Sequence, residues 1–396
     1  MHRRFSTLDS LLFESRVFWQ HSLYHYLDFP WREQLPELCE WLDSQTLQHV
    51  IDLKNNPDQL TNEISQWIPY AKQLRDLCEL PDLPTSNKEV RRGLDVGVPG
   101  RKWHQINEFA AAAEQSGSKN WLEWCAGKGY LGRLLASRPT STVTSLEIQA
   151  QLCTDGQAFA NEQSLDMTFI EADAFSSSSL QYIQEKQHAV ALHACGDLHV
   201  TLLKKVAEVR SEAVSISPCC YHLIQTDHYQ PLSYEAKASL LRLDKQDLRL
   251  PLQETVTAGQ RTVQHRIQEV TYRLGFDSLQ RAINQSSSYL PVPSIKKSQL
   301  SEGFSAFCLW AANKKGITLP DDTDFSYWLK CGEQRFELVE KMDLVQQVFK
   351  RPLELWLVLD RALFMKEKGY EVQLDHFCER EYTPRNILLR ARLANK

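Results

Sequence analysis

One stretch, Trp121 to Ala136 (WLEWCAGKGYLGRLLA), limits what this chain can fold into more than any other. Asn120 to Trp124 is a short apolar run with the look of a buried strand. Cys125 to Gly129 is a small-residue turn, and from Tyr130 the spacing of Leu131, Leu134 and Leu135 gives one apolar helical face. Strand, glycine turn and helix together form a device for cradling a phosphate or carboxylate. Glycine lets the ligand approach the backbone, and the helix N-terminus favours negative charge. Read literally, Gly127-Lys-Gly129-Tyr-Leu-Gly132 is a G-x-G-x-x-G, so a dinucleotide must be weighed. A nucleoside-triphosphate loop is excluded, because Tyr130, not Lys-Ser or Lys-Thr, follows Gly129.

The next two strands decide between cofactors. Thr142 to Ile148 is a second strand with Glu147 near its end, placed for ribose hydroxyls; that acid serves NAD and S-adenosylmethionine alike. Met167 to Phe175 is a third, ending in Asp173-Ala174-Phe175, where a carboxylate can accept from an adenine amino group. Glu123 adds the acid of an E-x-C-x-G-x-G form, similar to that of class I methyltransferases but with Cys125 in place of the usual first glycine. Acids on all three strands favour S-adenosylmethionine over NAD. The expected cofactor-binding set is Glu123, Cys125, Ala126, Gly127, Gly129, Glu147, Asp173 and Ala174.

A chain of 396 residues, 42% hydrophobic, can bury a full core and more than one domain. Residues 1–85 read as an N-terminal helical domain rich in aromatics, ending in the linker Pro81 to Ser86. Residues 86–224 read as the core carrying strands one to five, and 225–351 as a mostly helical insertion or lid, with Gly275 capping a helix from Thr262 and a further helix from Phe325 to Val348. In 352–396, Pro352 and Gly369 bracket a closing helix, and Tyr370–Phe377 and Ile387–Leu393 alternate as a hairpin. The expected fold is α/β, a Rossmann-like seven-stranded sheet whose last strand is antiparallel. Ten cysteines without a secretory leader, and no apolar run near ~18 residues, point to a cytoplasmic setting with no membrane span. At a net charge of −5, a nucleic-acid partner would have to meet local basic patches. The stretch Asn87 to Gln105 is one, with Lys88, Arg91, Arg92, Arg101 and Lys102.

Strands four and five carry the chemistry. His188 to Leu192 breaks at His193-Ala-Cys195-Gly-Asp197, and Glu212 to Ser217 breaks at Pro218-Cys219-Cys220-Tyr-His222. In a parallel doubly wound sheet both breaks lie at the carboxyl ends of neighbouring strands, where ligands bind. His193, Cys195, Asp197, Cys219, Cys220 and His222 are therefore the expected catalytic residues. His193, Asp197 or His222 would orient a nitrogen or oxygen acceptor or take its proton. Pyrimidine C5 methylation is an alternative, with Cys195 and Cys219 or Cys220 supplying the thiolate. So is a non-catalytic protein that binds S-adenosylmethionine or zinc. The cysteines and histidines could supply soft ligands, but adjacent Cys219 and Cys220 would point to opposite faces of a strand, so no metal is assigned.

Glu123-x-Cys-x-Gly-Lys-Gly-Tyr-Leu-Gly, His193-Ala-Cys-Gly-Asp-Leu and Pro218-Cys-Cys-Tyr in combination resemble a class I methyltransferase family. It includes the methyltransferase-like protein 25 group and the methyltransferase domain of the glutathione S-transferase C-terminal-domain-containing protein. The tail Leu359-Asp-Arg-Ala-Leu-Phe-Met-Lys-Glu-Lys-Gly and Thr383-Pro-Arg-Asn also looks like that family, and Arg101-Lys-Trp-His104 is similar to its block ahead of the first strand. The resemblance covers roughly residues 95 to 225 and 350 to 395. It implies a transferase that uses S-adenosylmethionine. A related group that methylates tRNA ribose 2′-hydroxyls makes RNA modification the implied activity, with tRNA or rRNA as partner and no DNA. Lys102, His104, Arg385 and Asn386 are the expected substrate-binding residues.

Overall fold

The computed structural model describes residues 1–86, 90–253 and 260–394. Lys88 of the basic stretch lies outside the described residues. The chain divides into two compact units. One is formed by Met1–Glu14, Asp76–Val256 and Lys350–Lys396, the other by Ser15–Arg75 and Thr257–Phe349.

The first unit holds a seven-stranded sheet. Its strands are β1 (Asn120–Trp124), β2 (Thr142–Glu147), β3 (Met167–Glu171), β4 (His188–Ala191), β5 (Ala213–Ile216), β6 (Tyr370–His376) and β7 (Ile387–Leu393), in the order β3-β2-β1-β4-β5-β7-β6. The first five run parallel, β7 lies antiparallel to β5, and β6 pairs antiparallel with β7. The α/β sheet expected from the sequence is present, antiparallel closing strand included. β4 (HAVA) and β5 (AVSI) are buried throughout, as strands covered on both faces must be. Trp121, Val143, Met167 and Val190 share one core with Ile106 and Phe109 of the helix Gly100–Ala113, with Leu134 and Leu135 of the helix Tyr130–Ala136, and with Phe377 and Leu388. The strand order reverses at β1, flanked by β2 on one side and β4 on the other, which opens a crevice at the carboxyl ends.

Two expectations are corrected here. Residues 1–85 do not form a domain of their own. His2–Glu14 belongs with the sheet, where Asp9 accepts from Trp356 Nε1 at 2.8 Å. Pro81 to Ser86, read as a linker, is pinned to β6: His376 N donates to Pro81 O at 2.8 Å, and Leu83 N to His376 O at 2.9 Å. In the second unit, Phe18 stacks on Phe349, Gln346 Nε2 donates to Trp19 O, and Lys54 bridges Glu340 and Asp343. Phe18 and Trp19 thus find partners some 300 residues on, whereas Trp31 packs locally on Phe18 and Phe29, and Trp41 on Trp67.

Two helix boundaries also move. The helix Gln260–Asn284 runs through Gly275 instead of ending there. A Cβ on Gly332 would lie 2.4 Å from Thr271 O and 2.9 Å from Gly275 Cα, so the two glycines mark a close helix crossing, not a cap. Phe325–Glu367 is a single helix passing through Pro352, which was expected to start a new one. Interior proline costs about 3 kcal/mol. The complete burial of Leu353, Leu355, Trp356 and Leu357 just after it offsets that loss. No helix among the described residues is long and apolar enough to cross a membrane.

Candidate active site

The turn after β1 is wound by three left-handed residues in five: Cys125 at φ +56°, Gly127 at +60° and Gly129 at +70°. Ala126 N donates to Leu146 O, and Gly127 N donates to Glu147 Oε2, both at 2.9 Å. The other oxygen of Glu147 accepts from Ile148 N and Gln149 N at 3.0 Å. A Cβ on Gly129 would stand 2.4 Å from Met167 Cε and 2.5 Å from Phe169 Cζ, whereas one on Gly127 would meet nothing within 4 Å. The turn is therefore packed tight behind and open in front.

Glu123 works from behind the turn. It is buried, Ser145 Oγ donates to it at 2.8 Å, and the amides of Leu131 and Gly132 at the start of the next helix point to it. Burial pushes its carboxyl up to about 7 against those bonds. Glu123, expected among the cofactor-binding residues, instead anchors the helix N-terminus. Asp173 is exposed beyond β3 and accepts from Phe175 N at 2.9 Å. Ala174 is buried, and its carbonyl accepts from Lys205 Nζ at 3.2 Å. Lys205 also bonds Ser176 O and Ser179 Oγ, tying the loop after β3 to the helix Asp197–Val209. No sequence motif singled it out.

On the other side of the crevice, the loops after β4 and β5 are stitched together. Gly196 N donates to Cys219 O at 3.1 Å, Asp197 N to Leu223 O at 3.0 Å, and Gln225 N to Asp197 Oδ2 at 2.8 Å. Gly196 has to be glycine, since a Cβ there would stand 2.0 Å from Leu223 O. Asp197 thus ties the two loops together through Oδ2. Cys195, Cys219 and Cys220 bring their sulfurs within 4.8 Å of one another, with Cys195 and Cys219 3.4 Å apart. The expectation that Cys219 and Cys220 diverge assumed strand geometry. Both lie beyond β5, and Cys220 takes φ +47°, which turns its sulfur to the side of its neighbour.

Charge in this hollow follows from that packing. Hydrogen bonds from Cys195 and Cys219 push Cys220 toward the thiolate, helped by His222 and Arg385, while the Cys195 and Cys219 thiols move up. Cys125 is pushed up to about 12 by burial, then by Glu147, Cys195 and Asp173. Its thiol therefore lies in the field of both halves of the crevice. His193 keeps an edge open to solvent, yet crowding holds its pKa below the ordinary range, with Lys102 adding to the effect. His222 is lowered by burial and Arg249, and its Nδ1 is buried with no partner.

The expected substrate-binding residues separate. Lys102 Nζ sits 5.4 Å from the Tyr130 ring centroid, beside the turn, and the His104 ring lies 3.7 Å from that of Tyr382. Arg385 returns to the end of β5, where Ser217 Oγ donates to its carbonyl at 3.0 Å, but its guanidinium donates to Pro251 O and Leu252 O. Asn386 is buried, donating to Cys378 O and accepting from Arg351, so it holds the loop and not a ligand.

Residues 101–227, which span the turn and both stitched loops, match a family model described as a methyltransferase domain. The chain carries a methyltransferase domain. No curated protein matches the sequence. Among solved structures, the magnesium protoporphyrin IX methyltransferase ChlM from Synechocystis PCC 6803 with bound SAH is 9% identical over 78% of this chain and 90% of that one, at a TM-score of 0.34. The bifunctional kinase-methyltransferase WbdD is 17% identical over 37% of this chain and 34% of its own, at 0.26. TehB from Haemophilus influenzae is 13% identical over 28% and 39%, at 0.24. The alignments thus span about a third of WbdD and well under half of TehB.

Proposed function

We propose that the chain is an S-adenosylmethionine-dependent methyltransferase acting on a nitrogen or oxygen of an RNA nucleoside. The observation that carries this is the turn open in front of Gly127, with Glu147 at one side and the hollow of His193, Cys195 and Cys220 at the other. The residues fit the cofactor. The cradle at Gly127 has room for the methionine carboxylate, Glu147 suits the ribose hydroxyls, and Asp173 suits the adenine amino group. When bound, the group supplies an electrophilic methyl.

The chain's own contribution is alignment and proton handling. His193, neutral at physiological pH because its pKa is held down, is the group to orient the acceptor or take its proton. His222 is second to it, and Asp197 fixes the loop carrying both the histidine and the cysteines. Exposed Arg91, Arg92 and Arg101 ahead of β1, with Lys102 beside the turn, support an RNA backbone as the partner. Methyl-labelled S-adenosylmethionine, purified protein and total tRNA or rRNA, followed by nucleoside mass spectrometry, tests the proposal. A labelled nucleoside lost in H193A supports it, and absence of cofactor uptake by calorimetry overturns it.

A second reading has one specific observation in its favour: the sulfurs of Cys195, Cys219 and Cys220 meet within 4.8 Å where the loops after β4 and β5 come together, and the hydrogen bonds Cys220 receives there favour its thiolate. Addition of that sulfur to C6 of a pyrimidine would activate C5 for methylation. A covalent adduct between the protein and 5-fluoropyrimidine RNA, abolished in C220A, is the outcome it requires.

A further inference from the structure

We infer that Cys195, Cys219 and Cys220 form a binding site for a soft divalent cation of the zinc type, with a fourth position open toward the methyl-acceptor hollow. The inference deepens the methyltransferase reading and rests on it for what the open position would meet.

The geometry comes first. A tetrahedral zinc–thiolate site with bonds of about 2.3 Å separates its sulfurs by roughly 3.8 Å. The three sulfurs here lie within 4.8 Å of one another, and the closest described pair is at 3.4 Å, so small side-chain rotations bring them to that spacing. The ligands come from two loops, and backbone bonds fix those loops to each other at Gly196–Cys219 and Asp197–Leu223. Leu223 N closes the second loop on Cys220 O at 2.9 Å. A left-handed backbone at Cys220, where most side chains are disfavoured, is what turns the third sulfur inward.

The chemistry agrees. Three thiols facing one point cannot all ionise without a cation, and a divalent ion removes that repulsion. On coordination each thiol breaks its S–H bond, the proton passes to solvent, and an S–metal bond forms; nothing is oxidised or reduced. Among the described residues no histidine joins the cluster of three, so the fourth position is left for water or an acceptor atom, as in zinc sites that do chemistry. His222, two residues beyond Cys220 in the same loop, has its Nδ1 buried without a partner.

The test uses the full chain purified under reductant and titrated with Co²⁺. One equivalent should bind, with tetrahedral visible bands and near-ultraviolet sulfur-to-metal absorption that falls by about a third in each of C195S, C219S and C220S. Affinity in those variants should drop on the order of tenfold or more, while C331S, in the other unit, binds like the parent. Circular dichroism of each variant separates loss of the site from loss of the fold, and the parent's stoichiometry alone decides if a variant unfolds. Failure of the parent to bind cobalt, an octahedral spectrum without thiolate bands, or a Cys195–Cys219 disulfide in protein that takes up no metal overturns the inference. Calorimetry with S-adenosylmethionine on the same samples keeps the two readings apart. Cofactor uptake without metal overturns only this one, and metal uptake without cofactor upholds it while overturning the methyltransferase reading.

Discussion

The amide of Gly127 donates to the carboxylate of Glu147 at 2.9 Å, joining the turn after β1 to the last residue of β2. The same carboxylate receives two more amides, from Ile148 and Gln149. One buried acid therefore sets the shape of the turn and presents charge at the crevice. E147A should lower stability by about 1–3 kcal/mol through the orphaned amides, and weaken S-adenosylmethionine on the order of tenfold or more, a loss of ~1.4 kcal/mol or more. Urea titration and calorimetry separate the two effects.

The neighbouring glycines should respond differently to alanine. G129A meets both a left-handed φ and side chains of Met167 and Phe169 closer than 3 Å, so about 2–4 kcal/mol of stability is lost. In G127A the Cβ meets open space, and only the backbone cost of about 1 kcal/mol applies. That Cβ fills the cradle, however, so cofactor uptake is lost while the fold remains. Equal destabilisation of the two variants contradicts this.

Two buried groups give stability opposite pH slopes. Glu123 holds its proton to about pH 7 in the fold against 4.5 unfolded, so stability falls as pH climbs through that interval. His188 is pushed down to about 3 by burial and by Arg392 and Arg390, between Ser116 Oγ and Ser215 Oγ at 2.8 Å each. The unfolded chain takes up its proton below 6.5 and the fold does not, so stability falls as pH drops from there toward 3. Between pH 4.5 and 6.5 the two oppose. E123Q should leave stability rising with pH across that window, and H188N should leave it falling, each by up to about 1.4 kcal/mol per unit. Urea midpoints at a series of pH values check both.

Asp360 has no exposure and accepts from Tyr229 Oη, Leu232 N, Ser233 N and Ser233 Oγ. Beside it, Arg361 Nε donates to His199 Nε2 at 2.7 Å, and His199 Nδ1 donates to Ala194 O in the loop after β4. D360N turns an acceptor into a donor facing donors, and a loss of about 3 kcal/mol follows. A change in KM or kcat with stability intact would contradict this structural role.

Much of the sheet is legible in the primary structure, because burial on both faces of a parallel sheet demands largely apolar runs such as HAVA and AVSI, whose two polar residues, His188 and Ser215, bond each other. The glycine turn is legible because only glycine fits against Met167. What hides is pairing at a distance. Lys205 carries no motif and matters only because the loop after β3 comes to it. Helix ends at Gly275 and Pro352 were misplaced because burial and close crossing outweigh local propensity.

From its own residues the chain determines a doubly wound α/β unit with an acid-flanked glycine cradle, since periodicity and side-chain size act locally. Only tertiary structure decides that Ser15–Arg75 packs with Thr257–Phe349, and that three cysteines from two loops share one point. Both depend on contacts between segments far apart in the chain and, at Cys220, on a backbone angle no composition reveals. Long-range burial and loop stitching set those.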